Sequence, residues 1–144
     1  MLFRSGLAAL NRPVLLLAHP RLVNAAAEHG IPLAQGSIVL GSPLAYPDLV
    51  SVVGRSRGVI TDSGGLQKEA FLLRVPCTTV RGETEWVETV DLGWNVLVGD
   101  RLDLLASSVE RARPADTAAT PYGDGHAATR VVETLIEWDR SRQR

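Results

Sequence analysis

Several things are scarce in this sequence, and each scarcity excludes something. There is one cysteine, Cys77, in 144 residues, so no intrachain disulfide can form. Its place in the apolar run Val75–Val80 fits a buried core thiol better than a nucleophile. Neither sign of charge is in excess: 15 basic and 16 acidic residues give a net charge of −1. That leaves no electrostatic footprint for nucleic acid or an anionic membrane surface. Apolar runs are short, Val14–Ala18 being the longest candidate, well under the roughly 20 residues of a membrane-spanning helix. The opening residues MLFRSGLAALNR lack the hydrophobic core and cleavage site of a secretory signal, so a cytoplasmic location is expected. Neither G-x-G-x-x-G nor G-x-x-x-x-G-K-S/T occurs, so Lys68 belongs to no triphosphate motif. His19, His29 and His126 are scattered, and no carboxylate pair stands at a catalytic spacing.

What is present is enough for one domain with a real core, since 45% of the residues are hydrophobic. Apolar runs bounded by turn residues alternate with segments of helical period, the pattern of a parallel sheet covered on both faces. Strands are expected at Val14–Ala18, Ser37–Leu40, Gly58–Thr61, Cys77–Val80 and Asn95–Val98. Helices are expected at Arg21–His29, Tyr46–Arg57, Gly65–Leu73, Glu83–Val90, Leu102–Arg113 and Ala127–Asp139. Residues 114–125 read as a surface loop, with Asp124 placed to cap the last helix. The strands all run into polar or Gly-rich turns, and in open α/β sheets ligands bind at these carboxyl ends.

Residues 58–69, GVITDSGGLQKE, are the most informative of these junctions. A short apolar strand turns through Ser63, Gly64 and Gly65 directly into a helix, whose first amides lack intrahelical partners and whose dipole presents its positive end. An anion is bound there twice over, and glycines let it approach the backbone. Ser63 can cap the helix or donate to a phosphate oxygen, while Glu69, one and a half turns on, can reach a ribose hydroxyl. On these residues alone an ordinary Ser-capped helix after a tight turn gives the same pattern.

The run TDSGGLQKEAFLLRVPCTTVRGETEWVETVDLGWNVLVG, followed by PYGDGHAATRVVETL, resembles the C-terminal half of the non-hydrolysing UDP-N-acetylglucosamine 2-epimerases. The resemblance implies a Rossmann-like, doubly wound parallel sheet, the C-terminal half of a glycosyltransferase-B-like fold. Family members interconvert UDP-N-acetylglucosamine and UDP-N-acetylmannosamine by eliminating and re-adding UDP, with no metal and no cofactor. Carried onto this chain, Ser63, Gly64 and Gly65 match the diphosphate segment and Glu69 the ribose-binding acid. Leu44 and Leu49 fall where uracil is contacted. His19 matches a histidine that in some members binds a second, regulatory sugar nucleotide, or is simply a turn residue before Pro20; Thr84 and Glu85 are further sugar or regulatory contacts. The family's T-E-R is here Thr84-Glu85-Trp86, so an arginine that would pair with phosphate is replaced by tryptophan. Trp86, Trp94 and Trp138 otherwise read as packing residues.

The family's first strand of this domain, with its His-Arg-Arg-Glu-Asn-like turn, and its N-terminal acid/base carboxylates have no counterpart in the sequence. Residues 1–12 resemble the remnant of the helix after that strand, and residues 13–144 the UDP-sugar-binding domain. No catalytic residue is assigned, and the isolated chain is expected to be inactive: a UDP-binding portion that needs a separate N-terminal half, or alternatively an inactive binding module or regulatory subunit. A half of a related glycosyltransferase is a third reading, because one fold hosts many functions. In strand order 3-2-1-4-5-6 the missing strand lies between Val14–Ala18 and Gly58–Thr61. The two half-sheets are expected to close that gap by pairing directly, with self-association over the uncovered apolar faces.

Overall fold

The computed structural model describes residues 6–8, 10–115 and 118–142. All strand pairings are parallel: β1 (Val14–Leu17) with β2 (Ile38–Gly41), β3 (Val59–Thr61) with β4 (Cys77–Thr79), and β4 with β5 (Asn95–Leu97). Parallel neighbours need a crossover between them, and helices supply it. These are α1 (Pro20–Glu28), α2 (Tyr46–Arg55), α3 (Gly64–Leu72) and α4 (Val87–Asp91). A 3-10 turn, Leu102–Leu104, leads into α5 (Leu105–Glu110), and α6 (Ala127–Arg142) follows the long loop. The α/β class and the alternating order are those read from the sequence.

The half-sheets do not close by direct pairing, which corrects one expectation. Among the described residues β1 bonds only β2, and β3, β4 and β5 form a separate three-stranded sheet. No strand lies between β1 and β3 among the described residues. What joins the halves is side-chain packing: Leu7, Leu10, Ile38, Val98 and Leu105 form one buried cluster, with Val14 and Leu16 from one sheet and Ile60, Val80 and Val96 from the other packed around it. The helical residues 6–8 therefore belong to the core. Gly36 makes their seating feasible: its φ is +59°, and a Cβ there would stand 2.5 Å from the carbonyl oxygen of Ala8. A second cluster, Val53, Ala70, Val75 and Cys77, lies under α2 and α3.

Two predicted helices are shorter than their periodicity suggests. The segment from Glu83 stays a loop until Val87 because the Thr84 hydroxyl holds the Trp86 amide at 3.0 Å. The helix from Leu102 stops at Glu110 because the Arg111 guanidinium turns inward, donating to the carbonyls of Cys77 at 2.8 Å and Trp94 at 3.1 Å and to the Thr78 hydroxyl at 3.2 Å. Asp124 stands at the start of α6 as expected, accepting from the His126 amide at 3.1 Å and pairing with Arg130. No residue of α6 is buried, and Val131, Val132, Leu135, Ile136 and Trp138 face solvent. No helix among the described residues is long and apolar enough to cross a membrane.

Candidate functional site

β3 and β4 are neighbours, so the turn after β3 (residues 62–63) and the loop after β4 (residues 80–86) lie side by side at the carboxyl edge. Ser63 is the N-cap of α3 in extended backbone conformation, and its side chain makes no capping hydrogen bond. Its amide is held from behind, donating to Thr61 Oγ1 at 3.0 Å. The hydroxyl and the first amides of α3 are thus left for a ligand. A Cβ placed on Gly65 would meet nothing within 4 Å, so the approach to the helix end is open there. Glu69 lies half-buried on the same helix, about 9 Å along the axis from the N-cap by helical rise.

A buried polar network, missed in the sequence, fixes this geometry. The Gln67 side chain is fully buried; its Nε2 donates to the Ser63 carbonyl at 3.3 Å, and its Oε1 accepts from Thr84 Oγ1 at 2.7 Å and Asn95 Nδ2 at 3.0 Å. Asn95 Oδ1 accepts in turn from Thr79 Oγ1 at 2.8 Å, and Thr89 Oγ1 donates to the Trp86 carbonyl at 2.7 Å. One amide therefore ties the N-cap backbone to the 80–86 loop and to β5. The available signals were Gln67 four residues after Ser63, the spacing of neighbours on a helix, and a polar Asn95 opening an apolar strand. Thr84 has its hydrogen and an acceptor position engaged in this network, which makes it a positioning residue for the loop.

Glu85, by contrast, points into the site. A Cβ on Gly64 would lie 1.9 Å from Glu85 Oε1, while Glu85 Oε2 is 3.4 Å from an Arg81 guanidinium nitrogen. Trp86 packs edge-on against Tyr122 at 5.6 Å between centroids, and Lys68 stands over both rings at 4.9 and 5.0 Å. Trp86 and the fully buried Trp94 are thus packing residues, whereas Trp138 is exposed. Burial first, then the Glu88 carboxylate beside it, pushes the Tyr122 hydroxyl up to about 12.

The remaining expected residues are more dispersed. His19 is the N-cap of α1, its Nδ1 accepting from the Arg21 amide at 3.2 Å. This gives it a structural task in the turn before Pro20. Beside it an open cleft of about 380 Å³ lies at the carboxyl ends of β1 and β2, lined by Ala18, Pro20, Val23, Leu40, Ser42 and Pro43; none of the Ser63–Gly65 turn borders it. Leu44 is exposed in the loop after β2, and Leu49 packs, half-buried, against the cluster under α2. Cys77 is buried, and desolvation pushes its thiol up to about 11 against the weaker pull of Thr79 and Arg111. A thiol held neutral there is no nucleophile. Among the described residues no group of three or more His, Cys, Asp or Glu could hold a metal.

Parallel strands joined by crossover helices, with the N-terminus of α3 at their carboxyl edge, define an α/β domain of the doubly wound kind. Residues 3–136 match the model of the UDP-N-acetylglucosamine 2-epimerases, and the chain belongs to that family. A UDP-N-acetylglucosamine 2-epimerase homolog of Methanococcus maripaludis is 40% identical over 100 residues, covering 69% of this chain and 28% of the relative. The UDP-2,3-diacetamido-2,3-dideoxy-D-glucuronate 2-epimerase of Pseudomonas aeruginosa is 38% identical over 127 residues, covering 87% and 35%. The structure of the UDP-N-acetylglucosamine 2-epimerase of Methanocaldococcus jannaschii superposes with a TM-score of 0.78 at 28% identity over 94% of this chain and 40% of its own. Its complex with UDP-N-acetylglucosamine and UDP gives 0.73 at 30% identity, covering 87% and 36%. The chain thus spans between a quarter and two fifths of the length of these relatives, and the fold is the glycosyltransferase-B-like α/β half expected.

Proposed function

We propose that this chain is the UDP-binding portion of a UDP-N-acetylglucosamine 2-epimerase. The observation that carries the proposal is the N-terminus of α3, which no side chain caps by hydrogen bond, with Gly65 unobstructed and only the mobile Glu85 carboxylate against Gly64. In this reading Ser63, Gly64 and Gly65 hold the diphosphate, Glu69 takes a ribose hydroxyl, and the 42–49 segment with Leu44 and Leu49 meets the uracil. His19 and Thr84 stand at the edges of the sugar region, Thr84 acting by fixing the loop. Epimerisation at C2 by loss of UDP and its return changes no oxidation state, so the demand on this half is electrostatic. The diphosphate gains charge as its bond to the sugar breaks, and a preorganised helix end stabilises that charge. The general base for the C2 proton is assigned to a separate N-terminal half.

The Pseudomonas relative favours a second sugar, a UDP-2,3-diacetamido-glucuronate, but UDP and the inverted C2 are common to both substrates. The chain on its own is a binding module, and its uncovered apolar surfaces favour self-association. The test is calorimetric titration of the full chain with UDP and UDP-N-acetylglucosamine in D2O, beside Gly64→Val. In the variant the new Cβ meets the flexible end of Glu85, so far-UV circular dichroism is expected to be unchanged while UDP affinity falls at least about tenfold, or roughly 1.4 kcal/mol. The parent chain is expected to bind UDP and to put no deuterium on C2. Equal affinity in the variant would show that the cradle is elsewhere; deuterium at C2 would place a base on this chain.

A further inference from the structure

We infer that Arg81 is the cation of the diphosphate site and that Glu85 holds its place until the ligand arrives. The inference rests on the UDP-binding reading above and deepens it. With Trp86 where the family has an arginine, the site lacks the expected guanidinium. The structure offers one from a different position. Arg81 leaves the carboxyl end of β4, next to the turn that ends β3, and its backbone is held there by the Gly99 amide donating to the Arg81 carbonyl at 3.2 Å. Its guanidinium lies 3.4 Å from Glu85 Oε2, while Glu85 Oε1 abuts the Gly64 α-carbon at the head of α3. A single carboxylate thus spans the gap between an arginine and a helix N-terminus. A carboxylate seated there, one oxygen beside a guanidinium and the other against the Gly64 α-carbon at a positive dipole end, marks a position that a phosphate group would also favour.

Glu85 is suited to leave. Its side chain is half exposed, as is that of Arg81, and such a solvated pair contributes little to stability. The backbone around it is not free to follow, because Thr84 is fixed to Gln67 and to the Trp86 amide. The side chain therefore swings out from a rigid loop, leaving the Arg81 guanidinium within one carboxylate's span of the head of α3. Lys68 cannot take this role, because its ammonium is seated on the Trp86 and Tyr122 rings. If Glu85 stayed in place, its charge would oppose the diphosphate, so its departure is part of binding.

The test compares UDP with uridine, which lacks the diphosphate, in titrations of the full chain and of Arg81→Ala and Glu85→Gln. Both residues are surface-accessible, and thermal denaturation verifies that each variant folds. Arg81→Ala is expected to weaken UDP about tenfold and uridine less than about twofold; Glu85→Gln is expected to tighten UDP about threefold and leave uridine unchanged. An unaltered ratio of UDP to uridine affinity in Arg81→Ala, or weaker UDP binding in Glu85→Gln, would overturn the inference. With UDP still bound by the parent and lost in Gly64→Val, such a result would leave the cradle standing and remove only the roles of Arg81 and Glu85. A parent chain that binds no UDP would overturn both.

Discussion

Gln67 shows how much one side chain can carry. It is an unremarkable helix residue in the sequence, yet, fully buried itself, it joins the Ser63 carbonyl, the Thr84 hydroxyl and the buried Asn95 amide. Replacing it by leucine keeps the volume and takes one partner from each, leaving the buried Asn95 amide with only its longer contact to Thr89 at 3.3 Å. Buried polar groups so stranded cost about 1–3 kcal/mol each before relaxation, so Gln67→Leu is expected to lower the unfolding free energy by about 2–4 kcal/mol in urea denaturation. UDP affinity should fall with it, because the N-cap and the 80–86 loop lose their common anchor. A loss under about 0.5 kcal/mol would mean that the network is not what holds them. The turn from β3 into α3 was legible because glycines and a serine before a helix mark its start locally. The network was not, because its members are 28 residues apart and become partners only when β5 is laid beside β4.

The same contrast holds for the elements. All five strands fall within a residue or two of their expected limits, since a short apolar run between turn residues leaves little freedom. Helix ends were less legible where a tertiary contact intervenes: Arg111 is drawn to strand carbonyls before its helix can continue, and Thr84 delays α4. The pairing of strands was the least legible, because nothing local says whether β1 and β3 meet. Their backbone phase now makes that testable. Val14 donates to Ser37 just before β2, Ala18 to Gly41 at the end of β2, and Val59 to the residue before β4, so by alternation the amides of Leu15, Leu17 and Ile60 point away from their partners. They have no acceptor among the described residues. In hydrogen exchange these three amides are expected to exchange fast while those of Leu16 and Thr61, inside the ladders, are protected. Protection of Leu15 and Ile60 would show that another strand occupies or closes the gap in solution.

For the molecule as a whole, the β1 and β3 edges, unpaired among the described residues, and a helix with no buried residue make an unfinished surface. Along α6, Val131, Val132, Leu135 and Ile136 recur at the spacing of one helical face, and Trp138 stands exposed one turn on. The other two tryptophans are occupied in the body of the domain, Trp94 sealed beneath Phe71 and Trp86 against Tyr122. The chain has therefore separated its chromophores by environment. Emission from the long-wavelength, water-relaxed edge belongs to Trp138, and so to whatever α6 is doing. On raising the concentration of the chain, that edge is expected to shift to the blue as copies cover the helix, with Trp138→Phe abolishing the shift. A spectrum independent of concentration would mean that the chain does not self-associate through α6. Without any label, the helix announces in its own colour when it has found company.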